Sequence, residues 1–262
     1  MTEEQRSQML KNFCNTCIKP SLNIECGKVF QRFFLESIQC PSELSETHQI
    51  CTYCLELHRK DYNHVSNCIF IRNQLTIRAV GWATPTSTKI LNNLHKINFT
   101  YTHPVSNLLV AFLQNFLWSD SVIVPIPLGN SISETNGWFQ VVSGVSSYFR
   151  SEIVPAIIRN KKKSTRQSNF QERQILTKNE YELDKNVAVK LSNKRIFLLD
   201  DNITTGATIL HAVNLLRATN HIEIIPVAIE RYVSPRILQR CTGLSIEEKN
   251  CIFHLPQRLP EV

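Results

Sequence analysis

The sequence predicts an α/β protein with a mainly parallel sheet flanked by helices, preceded by a small cysteine-rich module. Three observations carry this expectation. Apolar, β-branched runs alternate with segments of helical period through the second half of the chain. One continuous apolar run feeds straight into a turn rich in hydroxyls. Seven of the nine cysteines precede residue 70.

The alternation is read in order. "HPVSNLLVAFLQNFLW" (103–118) has the apolar spacing of a helix that precedes the first core strand. "SVIVPIPLG" (121–129) begins as a short buried strand and is ended by two prolines. "WFQVVSGVSSYFRSEI" (138–153) returns to helical spacing. "RIFLLD" (195–200) is apolar without alternation, as suits a parallel strand covered on both faces. "ATILHAVNLLRAT" (207–219) places Ile209, Val213 and Leu216 on one helical stripe, widened by Leu210 and Leu215. "IEIIPVAIERYV" (222–233) is a further buried strand, and "IFIRNQLTIRAV" (69–80) is expected to be a strand joining the module to the sheet.

Composition bounds the function. The 262 residues are 42% hydrophobic and 19% charged, with a net charge of +7. That balance is globular and favours anionic partners such as nucleotides, polyphosphates or nucleic acid. The N-terminal "MTEEQRSQMLKNF" lacks the apolar core of a secretory signal. "VSNLLVAFLQNFLW" is interrupted by Asn and Gln and is too short to cross a bilayer. A cytoplasmic chain without membrane insertion is expected, and its cysteines then point to metal or thiols rather than disulfides.

Residues 1–70 form the expected module and 71–262 the larger domain. "CNTC" and "CTYC" each set two thiols one turn apart, so Cys14, Cys17, Cys51 and Cys54 can close a tetrahedral zinc site. The 33 residues between the pairs exceed the usual ribbon spacing, and free buried thiols are the competing reading. Cys26, Cys40, Cys68, His58 and His64 can supply a second site or exchange into this one. Four protein ligands leave no open position, so the zinc is expected to be structural.

The chemistry concentrates in "IFLLDDNITTGAT" (196–208). In open parallel sheets, ligands bind beyond the carboxyl ends of the strands, where Asp200 and Asp201 fall. Thr204, Thr205, Gly206, Ala207 and Thr208 lead into a helix whose first N–H groups and dipole form an anion site. Two carboxylates suit the vicinal hydroxyls of a ribose, and the loop suits its 5-phosphate. A P-loop is excluded, because no lysine follows the glycine. A helix-capping aspartate in an ordinary turn is the bland alternative.

This stretch resembles the signature of type I phosphoribosyltransferases, and the chain as a whole resembles the ComF/GntX family. "VIVPIPLG" is similar to that family's V-P-V-P-L segment, "NGWFQ" (136–140) to R-G-F-N-Q, and "LHKINF" (94–99) to its lysine-bearing L-K-F segment. "RNKKKSTRQSNFQERQ" (159–174) resembles its basic R-x-R-x-T-x-x-Q region. Asn202, Asn136 and Phe139 depart from the family pattern. The resemblance implies a type I phosphoribosyltransferase-like sheet behind a zinc-ribbon-like module, binding phosphoribosyl pyrophosphate (PRPP) with Mg²⁺. It implies Asp200 and Asp201 as catalytic residues and 204–208 as the 5-phosphate loop. It implies pyrophosphate contacts from Pro125, Ile126 and Pro127 and a mobile basic hood, about 159–182, carrying Arg159, Lys161, Lys162, Lys163, Arg166 and Arg173. Lys96 is a further phosphate contact. The acceptor is unassigned: His211, His221, His254 and Glu230 have no spacing that gives them a role, and Trp138 and Phe139 read as core. The same resemblance implies two other functions, a DNA-uptake accessory that binds single-stranded DNA or competence-machinery proteins, and a PRPP sensor without turnover.

Overall fold

The computed structural model describes residues 28, 31, 35, 38–40, 44–83, 85–94, 102–116, 118–128, 136–160 and 180–232. A five-stranded sheet, parallel throughout, forms the centre. Its strands are β3 (Arg78–Trp82), β4 (Ser121–Pro125), β5 (Glu152–Ile153), β8 (Arg195–Ile203) and β9 (Glu223–Arg231), in the spatial order β3-β9-β8-β4-β5. The hairpin β1 (His48–Ile50) and β2 (Leu57–Arg59) and the short helices α1 (His64–Asn67) and α2 (Ile69–Arg72) precede it. Helices α3 (Pro85–Leu94) and α4 (Thr102–Leu113) connect β3 to β4, and α5 (Gly137–Phe149) connects β4 to β5. A second hairpin, β6 (Ile157–Arg159) and β7 (Tyr181–Leu183), and the one-turn helix α6 (Lys185–Ala188) come before β8. Helix α7 (Ala207–Leu216) connects β8 to β9.

The period-2 geometry of strands divides the core into two layers. On one face Ile123, Phe197, Leu199, Val227 and Ile229 pack against Ile90, Leu94, Leu108, Val141 and Val145 of helices α3 to α5. On the other, Val122, Val124, Ile196, Leu198 and Ala228 meet Ile209, Val213 and Leu216 of α7. The three stripe residues expected of that helix are buried, with Ala207, Leu210 and Ala212 beside them. Cys51, Cys54, Cys68 and Phe70 belong to this same layer. The cysteine-rich segment therefore does for one end of the sheet what a helix does elsewhere: it covers apolar strand residues. Backbone bonds reinforce the join. Ile77 N–H donates to the Tyr53 carbonyl at 3.0 Å, and Trp82 Nε1 to that of Leu55 at 2.9 Å.

Two boundaries differ from expectation. Residues 69–80 are not one strand. Ile69–Arg72 is a helical turn, followed by a positive-φ Gln74, before β3 begins at Arg78. The turn lets Phe70 enter the core while Arg72 stays outside it, which an extended strand of that register would not do. Strand β8, expected over 195–200, also runs on to Ile203, so Asp201 and Asn202 are strand residues as well. The expected hood is described only at its ends, and residues 161–179 lie outside the described set.

Asn136, at the position of the family's arginine, caps α5 by accepting from Trp138 N–H at 2.8 Å. Trp138 is buried and donates from Nε1 to the Ile126 carbonyl at 3.2 Å, so it is core. Phe197 anchors the central strand, with Trp118 stacked at 4.1 Å and Phe116 edge-on at 5.8 Å. Replacing it should open a cavity beneath all of them. Phe197→Ala is expected to lower stability by about 3–5 kcal/mol, measured as a shift of the urea midpoint at constant slope.

Candidate functional site

The carboxyl ends of β4 and β8 meet the start of α7 in one cleft. Asp200, Asp201, Thr204, Thr205, Gly206 and Thr208 all line it. So do Ile126 and Pro127 after β4, and Arg159, Glu180 and Tyr181 from the second hairpin. Pro125 closes strand β4, and the next residue continues the pairing, with Ile126 N–H on the Leu199 carbonyl at 2.8 Å. Most of the predicted site thus converges. Lys96 and Arg173 lie outside the described residues.

The loop geometry follows from Gly206. Its φ of +80° is left-handed, a conformation that strains any residue with a Cβ. A Cβ there would also come within 2.1 Å of Cζ of Phe70. Glycine is therefore required twice, by its own backbone and by the ring behind it. The helix begins at Ala207, whose N–H donates to Thr205 Oγ1 at 3.4 Å. Ala207, Thr208 and Ile209, the first residues of α7, line the cleft, and the first N–H groups of a helix have no intrahelical partner.

The acids at the strand end share a buried corner. Asp201 N–H donates to Asp200 Oδ1 at 3.0 Å. Burial, and then the neighbouring Asp201 charge, push the Asp200 carboxyl well above its ordinary range. Asp200 therefore retains its proton to higher pH than an exposed aspartate. Arg159 Nε donates to Glu180 Oε1 at 2.7 Å, and its guanidinium lies over the Tyr181 ring at 5.4 Å. This pair places a cation and an anion on the wall of the cleft. His211 donates from Nε2 to the Tyr181 carbonyl at 3.1 Å, which assigns the proton to that nitrogen. It ties α7 to the hairpin.

Asn202 and Glu230, neighbours in register on β8 and β9, form a buried network behind the acids. Glu230 is fully buried and accepts from Ser87 Oγ at 2.5 Å, Thr88 Oγ1 at 3.2 Å and Asn202 Nδ2 at 2.6 Å. Burial raises its pKa to about 8 against those donors, and the Asp201 charge adds to the rise. The departure at Asn202 thus has a partner. An aliphatic residue would leave that face of Glu230 without a donor. The Asn202 Oδ1 atom is itself buried with no hydrogen-bond partner among the described residues. Sequence reading did not find this network, because Ser87 and Thr88 lie 143 and 142 residues from Glu230, and Asn202 lies 28 away on another strand.

A second cluster lies in the N-terminal segment. Cys51, Cys54, His64 and Cys68 are buried with their ligand atoms all within 4.8 Å of one another. Cys54 Sγ is 3.2 Å from His64 Nε2. The His58 ring stacks on that of His64 at 4.3 Å and donates from Nδ1 to the Arg59 carbonyl at 2.9 Å. Hydrogen bonds from Cys54 and then Cys68 pull the Cys51 thiol below its usual range, and the same sharing pushes the Cys54 thiol up. Three sulfurs and an imidazole suit a tetrahedral ion at ~2.0–2.3 Å from each donor. This set can hold a metal such as zinc. Of the four expected ligands, Cys51 and Cys54 are in it. His64 and Cys68 complete it, and Cys14 and Cys17 lie outside the described residues. The C-x2-C-x9-H-x3-C spacing was the available signal.

No helix among the described residues is long and apolar enough to cross a membrane. No protein-family model and no curated protein matches the chain. Among solved structures, one similar chain is an adenine phosphoribosyl transferase from Trypanosoma brucei in complex with AMP, pyrophosphate and ribose-5-phosphate. It is 14% identical, with a TM-score of 0.33, over 61% of this chain and 73% of that one.

Two outcomes are expected. Glu230 binds its proton more tightly folded than unfolded, so its contribution is complete below pH 4.5 and is lost as pH rises toward about 8. Between those values it should lower stability by up to ~1.4 kcal/mol per pH unit. In Glu230→Gln that slope should disappear from the pH profile of denaturant unfolding. For the metal centre, Cys68→Ser should reduce bound metal by one equivalent per chain in elemental analysis.

Proposed function

We propose that the cleft binds PRPP and that the chain is a phosphoribosyltransferase, transferring phosphoribose from PRPP to a nitrogen nucleophile. One observation carries this reading. Two adjacent acids and a glycine-hinged, threonine-rich helix start line the same cleft at the carboxyl ends of parallel strands. A ribose bearing a phosphate carries both kinds of group that such a cleft recognises.

In this reading Asp200 and Asp201 accept hydrogen bonds from the ribose hydroxyls. The loop Thr204 to Thr208 takes the 5-phosphate with backbone N–H and hydroxyl donors. Pro125, Ile126 and Pro127 form the edge that faces the pyrophosphate. Arg159 provides a cation on the wall of the cleft, with Lys96 and Arg173 as further contacts. Transfer breaks the bond between the anomeric carbon and the pyrophosphate oxygen, and the electron pair leaves with pyrophosphate. The acceptor nitrogen forms the new bond with its lone pair and loses a proton to solvent. Mg²⁺ bound to the substrate would neutralise charge on the leaving group. The remaining contribution of the chain is positioning and electrostatics: acids beside the developing cation, and binding energy at the phosphate remote from the reacting carbon.

The ComF/GntX family, with its link to DNA uptake, is the finer form of the proposal. It is supported by the sequence motifs and by a Cys/His centre ahead of the sheet. The centre is structural in this reading, since all four positions belong to protein donors.

Calorimetry of the zinc-loaded protein with PRPP and Mg²⁺ tests the donor site. Binding is expected, and Asp200→Asn with Asp201→Asn should weaken it at least about tenfold, or ~1.4 kcal/mol. Wild-type protein that takes up no PRPP would refute the proposal. Pyrophosphate release across a panel of nitrogen nucleophiles then identifies the acceptor, and release with none of them indicates binding without turnover.

A further inference from the structure

We propose that Arg231 and Phe70 are positioning residues of the phosphate loop, through which the Cys/His centre and a ligand in the loop each stabilise the other. This rests on the reading of residues 204–208 as a phosphate cradle.

Arg231 ends β9 and is 1% exposed. Its guanidinium makes bonds in two directions. Toward the N-terminal segment, Nε donates to the Cys54 carbonyl at 2.9 Å and Nη2 to Glu56 Oε1 at 2.5 Å. Toward the loop, Nη1 donates to the carbonyls of Ile203, at 2.8 Å, and Thr204. The same nitrogen meets its neighbour's carbonyl, Tyr232, at 3.1 Å. Cys54 is a donor of the metal cluster, and Thr204 is the first residue of the cradle. One rigid planar group therefore spans both sites. A shift of the Cys54 carbonyl cannot be absorbed by rotating the fork without losing bonds on the loop side.

Phe70 makes the second connection. It lies two residues after the donor Cys68 and is buried. Its ring fills the space a side chain at residue 206 would need. Gly206 is thus backed by the ring on the side away from the cleft. One contact starts from Cys54 and the other from beside Cys68, so closing the four donors around an ion fixes both at once. Opening the set frees both.

A coupling of this kind is reciprocal. In zinc-loaded protein, the rate of zinc transfer to a colorimetric chelator is measured with and without saturating ribose 5-phosphate. The ligand is expected to slow transfer about fivefold or more in the wild type, the low end of ordinary coupling. Glu56→Gln leaves the buried guanidinium its carbonyl partners but removes the ion pair that holds it. It should shrink that ratio and raise the ribose 5-phosphate Kd, while Arg231→Lys, which loses the fork, should bring the ratio close to one. The ratio separates positioning from general destabilisation, because a purely structural defect speeds zinc loss equally with and without ligand. Ribose 5-phosphate that binds but leaves zinc transfer unchanged in the wild type overturns the coupling alone. So does a ratio unchanged in both variants. Wild-type protein that binds neither ribose 5-phosphate nor PRPP removes the donor reading and this inference with it.

Discussion

Two adjacent carboxylates at the end of a buried strand constrain the surrounding structure. Burying charge is unfavourable unless hydrogen bonds or opposite charge compensate. Asp200 and Asp201 both sit below one-tenth exposure. The observed compensation has three parts. Asp200 accepts from the backbone of its neighbour and holds its proton more tightly. The loop that follows presents a helix N-terminus rather than a further acid. Arg159, although paired with Glu180, brings a cation to the same cleft and lowers the Asp200 pKa against the effect of burial. Such an arrangement is poorly suited to a merely structural corner. It suits a corner that acquires hydroxyl donors and counter-ions when a ligand arrives.

Glu230 shows the same constraint one strand away. It is more deeply buried than either aspartate, yet it does not line the cleft. Its carboxyl is surrounded by donors from α3 and β8, and it accepts from all of them. The network fixes the β8–β9 register where the strand leaves the apolar core and enters the site. Asn202 is the cleft-lining end of that network. The acids in front thus stand on a polar layer rather than on aliphatic packing, and a polar layer has fewer acceptable arrangements.

The strands and helices of the second half were legible because their periodicity reports burial directly. Apolar runs at 122–124 and 196–199 are buried on both faces, and the stripe of α7 is the stripe that packs. The loop at 204–208 was legible because glycine and hydroxyls at a strand-to-helix turn have local reasons to be there. What could not be read are long-range pairings. Nothing near Glu230 in the chain announces Ser87, and nothing near Arg231 announces Cys54, 177 residues away. The helical turn at 69–72 was misread as strand for a related reason. "IFI" suits either conformation, and the choice is made by Phe70 reaching Gly206. Cys68 and His64 were visible as isolated residues, but a ligand set is a property of the folded hairpin and turn, not of the C-x-x-C pair.

These long-range pairings also explain why so small a segment is attached so firmly. Residues 51–77 are too few to bury a core of their own, and a small module of this kind ordinarily depends on its metal. Here the segment has a second source of stability. Phe70, Leu75 and Ile77 enter the layer that also contains Val124, Leu198 and Ile203. Arg231 satisfies carbonyls on both sides of the join. The sheet in turn gains cover for the strand end at Ile203. Each part buries what the other would expose. The Cys/His segment therefore packs behind the loop that lines the cleft, through Phe70 and Arg231, and is not an appendage beside it.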